Sequence, residues 1–214
     1  MPEIYKTYKH NPPHLFRSNA KYFITGSTYK KVKYLVSEEA KERLLKSIFI
    51  GFTDYDWVIE DWVILDNHYH LMVNAPENVE TLSRIIQDIH KFTAIWINKN
   101  IDIGYNMEYI DRVDVKSNCS KKAKNKSTNT VGALHSYKNS KIFHNYWDTC
   151  ISYERSYFAR LHYIWYNPVK HGYVRDPKNW KFGSYSFRFK KDKSEIDEIV
   201  DNYPCDKVKV YDDF

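Results

Sequence analysis

The feature that most constrains this chain is a pair of apolar, β-forming segments, residues 57–65 (WVIEDWVIL) and 68–74 (HYHLMVN), parted only by Asp66 and Asn67. β-Branched and aromatic residues suit a pleated, half-buried surface, and a two-residue polar step between two such runs is a hairpin signal. Upstream, residues 22–29 (YFITGSTY) read as a first strand. Ser37 is placed to cap a helix running to about residue 50, with Glu38 and Glu39 in its first turn and Leu44, Leu45 and Ile48 on one face. Residues 79–98 carry Leu82, Ile85, Ile86, Ile89 and Ile97 at helical spacing. Order returns at residues 141–148 (KIFHNYWD), a further strand, and a helix follows over 152–166. Pro168 disfavours helical geometry at Asn167, so that helix is expected to stop there.

Strand, helix, hairpin, helix and strand predict an α+β fold, a ferredoxin-like antiparallel sheet with helices packed on one face. Residues 1–20 form an N-terminal arm, residues 21–188 the domain itself, and 189–214 a polar, mildly acidic, peripheral tail. Within the domain, residues 101–140 are a lysine-rich insertion. Its segment KSNCSKKAKNKST, with Lys121 and Lys122 at the centre, has almost no apolar side chains and reads as a solvated, mobile loop or a flap that contacts DNA.

Charge narrows the partners. With 33 Lys and Arg against 27 Asp and Glu, the net charge of +6 suits a polyanion. The 19 Tyr, 11 Phe and 6 Trp supply a core and, secondarily, base-stacking surfaces. Cys119, Cys150 and Cys205 stand far apart and form neither a zinc spacing nor a disulfide framework, which fits a reducing cytoplasm. The N-terminus lacks an apolar signal region and no 18 apolar residues run together, so a soluble protein is expected.

Two constellations can carry chemistry. On a strand, His68 and His70 point to one face and Tyr69 to the other, so the pair is half of a divalent metal site. With 9 His in the chain, about 0.4 His-x-His pairs arise by chance, so two hydrogen-bonded structural histidines are the competing reading. In LHYIWYNPVKHG, Tyr163 and Asn167 are four apart and lie one above the other on a helix face. A phenol and an amide oxygen can then address one point. Tyr153, Tyr157 and Tyr166 compete for the phenol's role, and Asn167 could simply cap the helix end.

Joined, the two make sense chemically. A tyrosyl oxygen attacking a phosphodiester forms a phosphotyrosine of similar energy, so the step can reverse and rejoin strands. Phenol is a poor nucleophile at a pKa of roughly 10 and needs a cation on the phosphate. Nitrogen and oxygen ligands suit Mg²⁺ or Mn²⁺. Because the histidines must be neutral to bind metal, activity is expected to fall below roughly pH 6.

At these residues the sequence resembles the REP-associated tyrosine transposases, a branch of the single-tyrosine HUH transposases. VILDNHYHLMV resembles the family's histidine-hydrophobic-histidine strand, YIWYNPVKHGYV its nucleophile helix, and WKFGSYSF the aromatic-Ser-Tyr segment that follows. YFITGSTY fits the opening strand and KIFHNYWD the strand before the last long helix. The resemblance implies an HUH-nuclease fold, with His68, His70 and Asn167 on the metal and Tyr163 as nucleophile. It implies cleavage of single-stranded DNA at hairpin or palindromic elements, leaving a 5′-phosphotyrosine and a free 3′ hydroxyl, by a nucleoid-associated monomer or homodimer. The basic residues near the motif, Lys170, His171, Arg175, Lys178 and Lys181, are candidate phosphate contacts, and the acidic tail (Glu195, Asp197, Glu198, Asp201) a competitor for them. The rival readings are a DNA- or RNA-hairpin-binding protein without cleavage, and a replication-initiator or relaxase-type nuclease.

Overall fold

The structure, a computed structural model, describes residues 6–7, 15–100 and 141–206, together with 208 and 210. The insertion at 101–140, with Lys121 and Lys122, and most of the N-terminal arm lie outside the described residues. Two short strands, β1 (Lys6–Thr7) and β2 (Leu15–Phe16), pair with each other.

The main sheet contains β3 (Lys21–Thr28), β4 (Val58–Ile64), β5 (His68–Asn74) and β6 (Phe143–Ile151), in the order β4-β5-β3-β6 and antiparallel throughout. Helix α1 (Glu38–Thr53) connects β3 to β4, and α2 (Leu82–Asn100) follows β5. This is the ferredoxin-like arrangement expected from the sequence: the first strand sits between the third and the fourth. The hairpin turn falls at Asp66-Asn67, as read, and the Ser37 hydroxyl accepts the Ala40 amide at 3.1 Å to cap α1.

Alternation along the strands sends side chains to two different cores. Tyr22, Ile24, Tyr69, Leu71 and Val73 face α1 and α2, where Leu44, Ile48, Phe52, Ile85, Ile86 and Ile89 complete the larger cluster. Gly26 faces the same way and admits the Tyr69 ring, which a Cβ at that position would overlap. The opposite face carries Phe23, Val63, Leu65 and Met72, and helix α3 (Glu154–Lys170) covers it through Leu161, Ile164 and Trp165. The helices α1 and α2 thus share one face, as expected, while α3 lies across the other.

Two expectations need correction. First, α3 does not stop at Asn167: it passes through Pro168 and ends at Lys170. The pre-proline restriction is a bias, and a proline so near the C-terminus removes only one helical donor. Termination falls instead to Gly172, at φ 73°, whose amide bonds Val169 O at 3.0 Å while Tyr173 N bonds Pro168 O at 2.9 Å. Second, the tail is not peripheral. After α4 (Tyr185–Lys191), α5 (Lys193–Asn202) buries Ile196 and Ile199 in the α3 cluster. Its apolar residues Ile196, Ile199 and Val200 lie at i, i+3 and i+4, a single stripe too short to stand out among the charges around it. Glu195, Glu198 and Asp201 lie on its exposed side. Removing residues 190–214 would therefore uncover core as well as remove charge.

Candidate active site

The second sheet face positions the chemistry. His68 and His70 point towards α3 with their rings 5.1 Å apart, both fully buried, while Tyr69 points to the other core. From α3, Tyr163 brings its ring to 5.3 Å from His70, edge to face, and one turn on, the Asn167 Oδ1 lies 3.1 Å from His68 Nε2. The i, i+4 pair read from the sequence thus meets the histidine pair, and it can do so because the helix continues through Pro168.

Each imidazole is oriented by a neighbour. The Asn67 Oδ1 lies 2.7 Å from His68 Nδ1, and the Thr25 Oγ1 lies 2.9 Å from His70 Nδ1. Such outer partners fix ring orientation and tautomer in metal sites. Phe23 stacks on His70 at 5.3 Å and 15°, and meets Tyr163 edge-on at 6.3 Å. Behind the turn, Lys41 Nζ pairs with Asp66 Oδ1 at 2.8 Å, both groups buried, which fixes the loop that presents Asn67.

The donor set fits a divalent ion. A neutral imidazole has one N–H, yet both nitrogens of His68 face amide oxygens. With the proton on Nδ1 towards Asn67, the Nε2 lone pair confronts Asn167 Oδ1, and the buried Asn167 Nδ2 has no partner among the described residues. Either the Asn167 amide turns over to donate, or a cation takes both lone pairs. The 3.1 Å separation suits neighbouring ligands of an ion with bonds of about 2.1 Å. Among the described residues no group of three His, Cys, Asp or Glu side chains forms a metal cluster.

Of the candidate phosphate contacts, Lys170 and His171 stand at this site. Lys170 Nζ donates to the Tyr163 hydroxyl at 3.3 Å and sits 4.8 Å above its ring; the His171 ring is 4.9 Å from that of His68. Arg175 is exposed nearby in sequence. Lys178 pairs with Asp176 at 3.1 Å, and Lys181 bridges Glu38 and Glu42 of α1 at 2.6 and 3.0 Å, which raises the Lys181 pKa through those carboxylates. The competing tyrosines are engaged elsewhere: Tyr157 donates to Glu60 at 3.0 Å, Tyr166 packs on Tyr185 and His162, and Tyr153 is exposed.

Sequence reasoning missed the support. Thr25 sits in a strand without a motif, and Asn67 reads only as a turn residue. Asp61 is fully buried on the α3 side of β4. It accepts from Trp165 Nε1 at 2.8 Å, Ser184 Oγ at 2.7 Å and Arg188 at 2.6 and 3.1 Å, tying α3 and α4 to the sheet. The Ser184 contact gives the aromatic-Ser-Tyr segment a physical role, since Gly183 and Ser184 pair with Val63 and Trp62 along the β4 edge.

The four-stranded ferredoxin-like sheet fits the comparisons with known proteins. Residues 16–112 match the family described as Transposase IS200 like, a span that includes both histidines and ends before Tyr163. The resemblance to the REP-associated tyrosine transposases read from the sequence is borne out. A Haemophilus influenzae protein named as a REP-associated tyrosine transposase is 29% identical over 123 residues, covering 57% of this chain and about half, 55%, of that relative. The solved structure of a REP-associated tyrosine transposase bound to a REP hairpin shares the fold, at TM-score 0.52 and 20% identity, over 92% of this chain and 90% of that one. Among the described residues, no helix is long and apolar enough to cross a membrane.

Proposed function

We propose that this protein cleaves and rejoins single-stranded DNA at hairpin elements through a 5′-phosphotyrosine on Tyr163, acting in the cytoplasm in association with the nucleoid. The observation that carries this reading is the convergence of Tyr163 and Asn167, from one face of α3, on His68 and His70 of β5. The relative solved in complex with a REP hairpin supports the hairpin as the DNA element.

The Tyr163 oxygen attacks the scissile phosphorus as its proton passes to solvent, the bond to the 3′ oxygen breaks, and that oxygen takes a proton from solvent and leaves as a hydroxyl. Lys170, 3.3 Å from the phenol oxygen, stabilises the developing phenolate by its charge. Phe23 and His70 hold the ring on two sides, so the nucleophile is fixed before substrate arrives. His68, His70 and Asn167 would hold Mg²⁺ or Mn²⁺, which supplies Lewis-acid stabilisation of the phosphate oxygens. The reverse attack by a 3′ hydroxyl restores the phenol and joins strands.

The test is incubation with single-stranded hairpin DNA from sequence flanking the gene, with Mg²⁺ or Mn²⁺, comparing wild type with Tyr163→Phe. A covalent protein–DNA adduct that needs metal and is lost in the variant is expected. Tight hairpin binding with no adduct would instead identify a binding protein on this fold.

A further inference from the structure

A cleft of about 660 Å³ opens beside the N-terminal half of α3, lined by Tyr153, Arg155, Ser156, Arg160, Pro204 and Val208 among others, with no carboxylate among the described residues of its wall. Arg160 is the unusual member. Its Nη1 bonds only the carbonyl and hydroxyl of Ser156, one turn back on the same helix, and its Nε is buried with no partner. Among the described residues no acid pairs with it, and burial lowers its pKa. A guanidinium desolvated without a counter-charge is costly unless an anion completes it. Its plane lies 5.6 Å over the Phe23 ring, whose other contacts are His70 and Tyr163. Arg155 is exposed in the same wall, and Tyr153 is 78% exposed, the most open large aromatic of the described residues.

We infer that this cleft binds a segment of unpaired DNA strand next to the scissile position, its phosphates held by Arg155 and Arg160 and a base stacked on Tyr153. The arrangement pairs cations that track a backbone with an aromatic platform, the combination that holds single strands regardless of sequence. The position follows from the helix: Arg160 lies one turn before Tyr163, and the Phe23 ring meets both the Arg160 guanidinium and the Tyr163 ring. The volume admits more than one nucleotide, as ligand sites of roughly 300–1,000 Å³ do. This inference rests on the reading of the site as a single-strand nuclease.

The experiment measures binding of a fluorescent oligothymidylate by anisotropy across a salt series, for wild type, Tyr153→Ala, Arg155→Ala and Arg160→Met. The last keeps an apolar stem over Phe23, and the first two replace exposed side chains, so folding is preserved in at least those two. Each variant is expected to weaken binding about tenfold. The arginine variants should also reduce the slope of log K against log salt by about 0.7, the value for one lost single-strand phosphate contact. Affinity and slope equal to wild type in all three variants would overturn the inference, as would no binding of oligothymidylate by wild type. Adduct formation on hairpin DNA is scored in parallel. Weakened variants with no adduct from wild type would leave the cleft assigned and remove the cleavage reading. An adduct from wild type with unweakened variants would do the reverse.

Discussion

His68 Nε2 lies 3.1 Å from Asn167 Oδ1, joining a strand and a helix that stand 99 residues apart in the chain. With the imidazole proton on Nδ1 towards Asn67 Oδ1 at 2.7 Å, two lone pairs meet there in a buried site unless the Asn167 amide turns over to donate. The reading of the histidine pair as a metal centre rests on this contact.

If that centre binds a cation, the residues behind the ligands set its affinity. Asn67→Ala and Thr25→Val are each expected to weaken Mn²⁺ binding by about 10- to 100-fold in calorimetric titration, because each frees one imidazole to rotate. Unchanged Mn²⁺ affinity in both would show that the rings are held by packing alone.

Asp61 is expected to matter for stability more than any surface ion pair. Asp61→Ala strands Trp165 and Ser184 without their acceptor and Arg188 without its counter-charge, and should cost on the order of 3 kcal/mol. Asp61→Asn keeps an acceptor for the two neutral donors and should cost less than half of that. Urea denaturation of the two variants checks the order.

His90 makes the fold sensitive to acid. It stacks on Phe143 at 4.2 Å, lies 2.9 Å from the Tyr69 hydroxyl, and burial lowers its pKa from 6.5 to about 3. The unfolded chain therefore takes up a proton that the folded one refuses. The contribution is fully present above about pH 6.5 and is lost as pH falls from there towards 3, by up to about 1.4 kcal/mol per pH unit. The urea midpoint should fall over that window, and His90→Gln should flatten the fall while lowering stability at neutral pH. Parallel profiles for the two proteins would contradict the assignment.

Gly26 is required by the ring that crosses it. Gly26→Ala drives a methyl into Tyr69, itself fully buried, and should cost about 1–3 kcal/mol. In a Tyr69→Ala background the same change should cost far less, a non-additivity that thermal unfolding of the double variant measures.

Much of the fold was legible because its signals are local. The hairpin at Asp66-Asn67, the Ser37 cap and the stripe of α2 depend on residues within a few positions of one another, where period and propensity act directly. The end of α3 was not, because the local bias of Pro168 is outweighed by packing and by a terminating glycine four residues further on. The buried part of the tail was hidden for a related reason: Ile196, Ile199 and Val200 are a short apolar set among charges, and their worth appears when α3 offers a surface to bury them.

By itself, then, the sequence determined the strand and helix order, the shared face of His68 and His70, and the i, i+4 pairing of Tyr163 with Asn167, because strand and helix periodicities are fixed by backbone geometry. Tertiary structure alone decided that the two pairs meet, that Thr25 and Asn67 orient the imidazoles, and that Asp61 anchors α3 through Trp165. Those contacts join residues up to 104 positions apart, and no period of the chain encodes which distant side chains a packed interior will bring within hydrogen-bond reach.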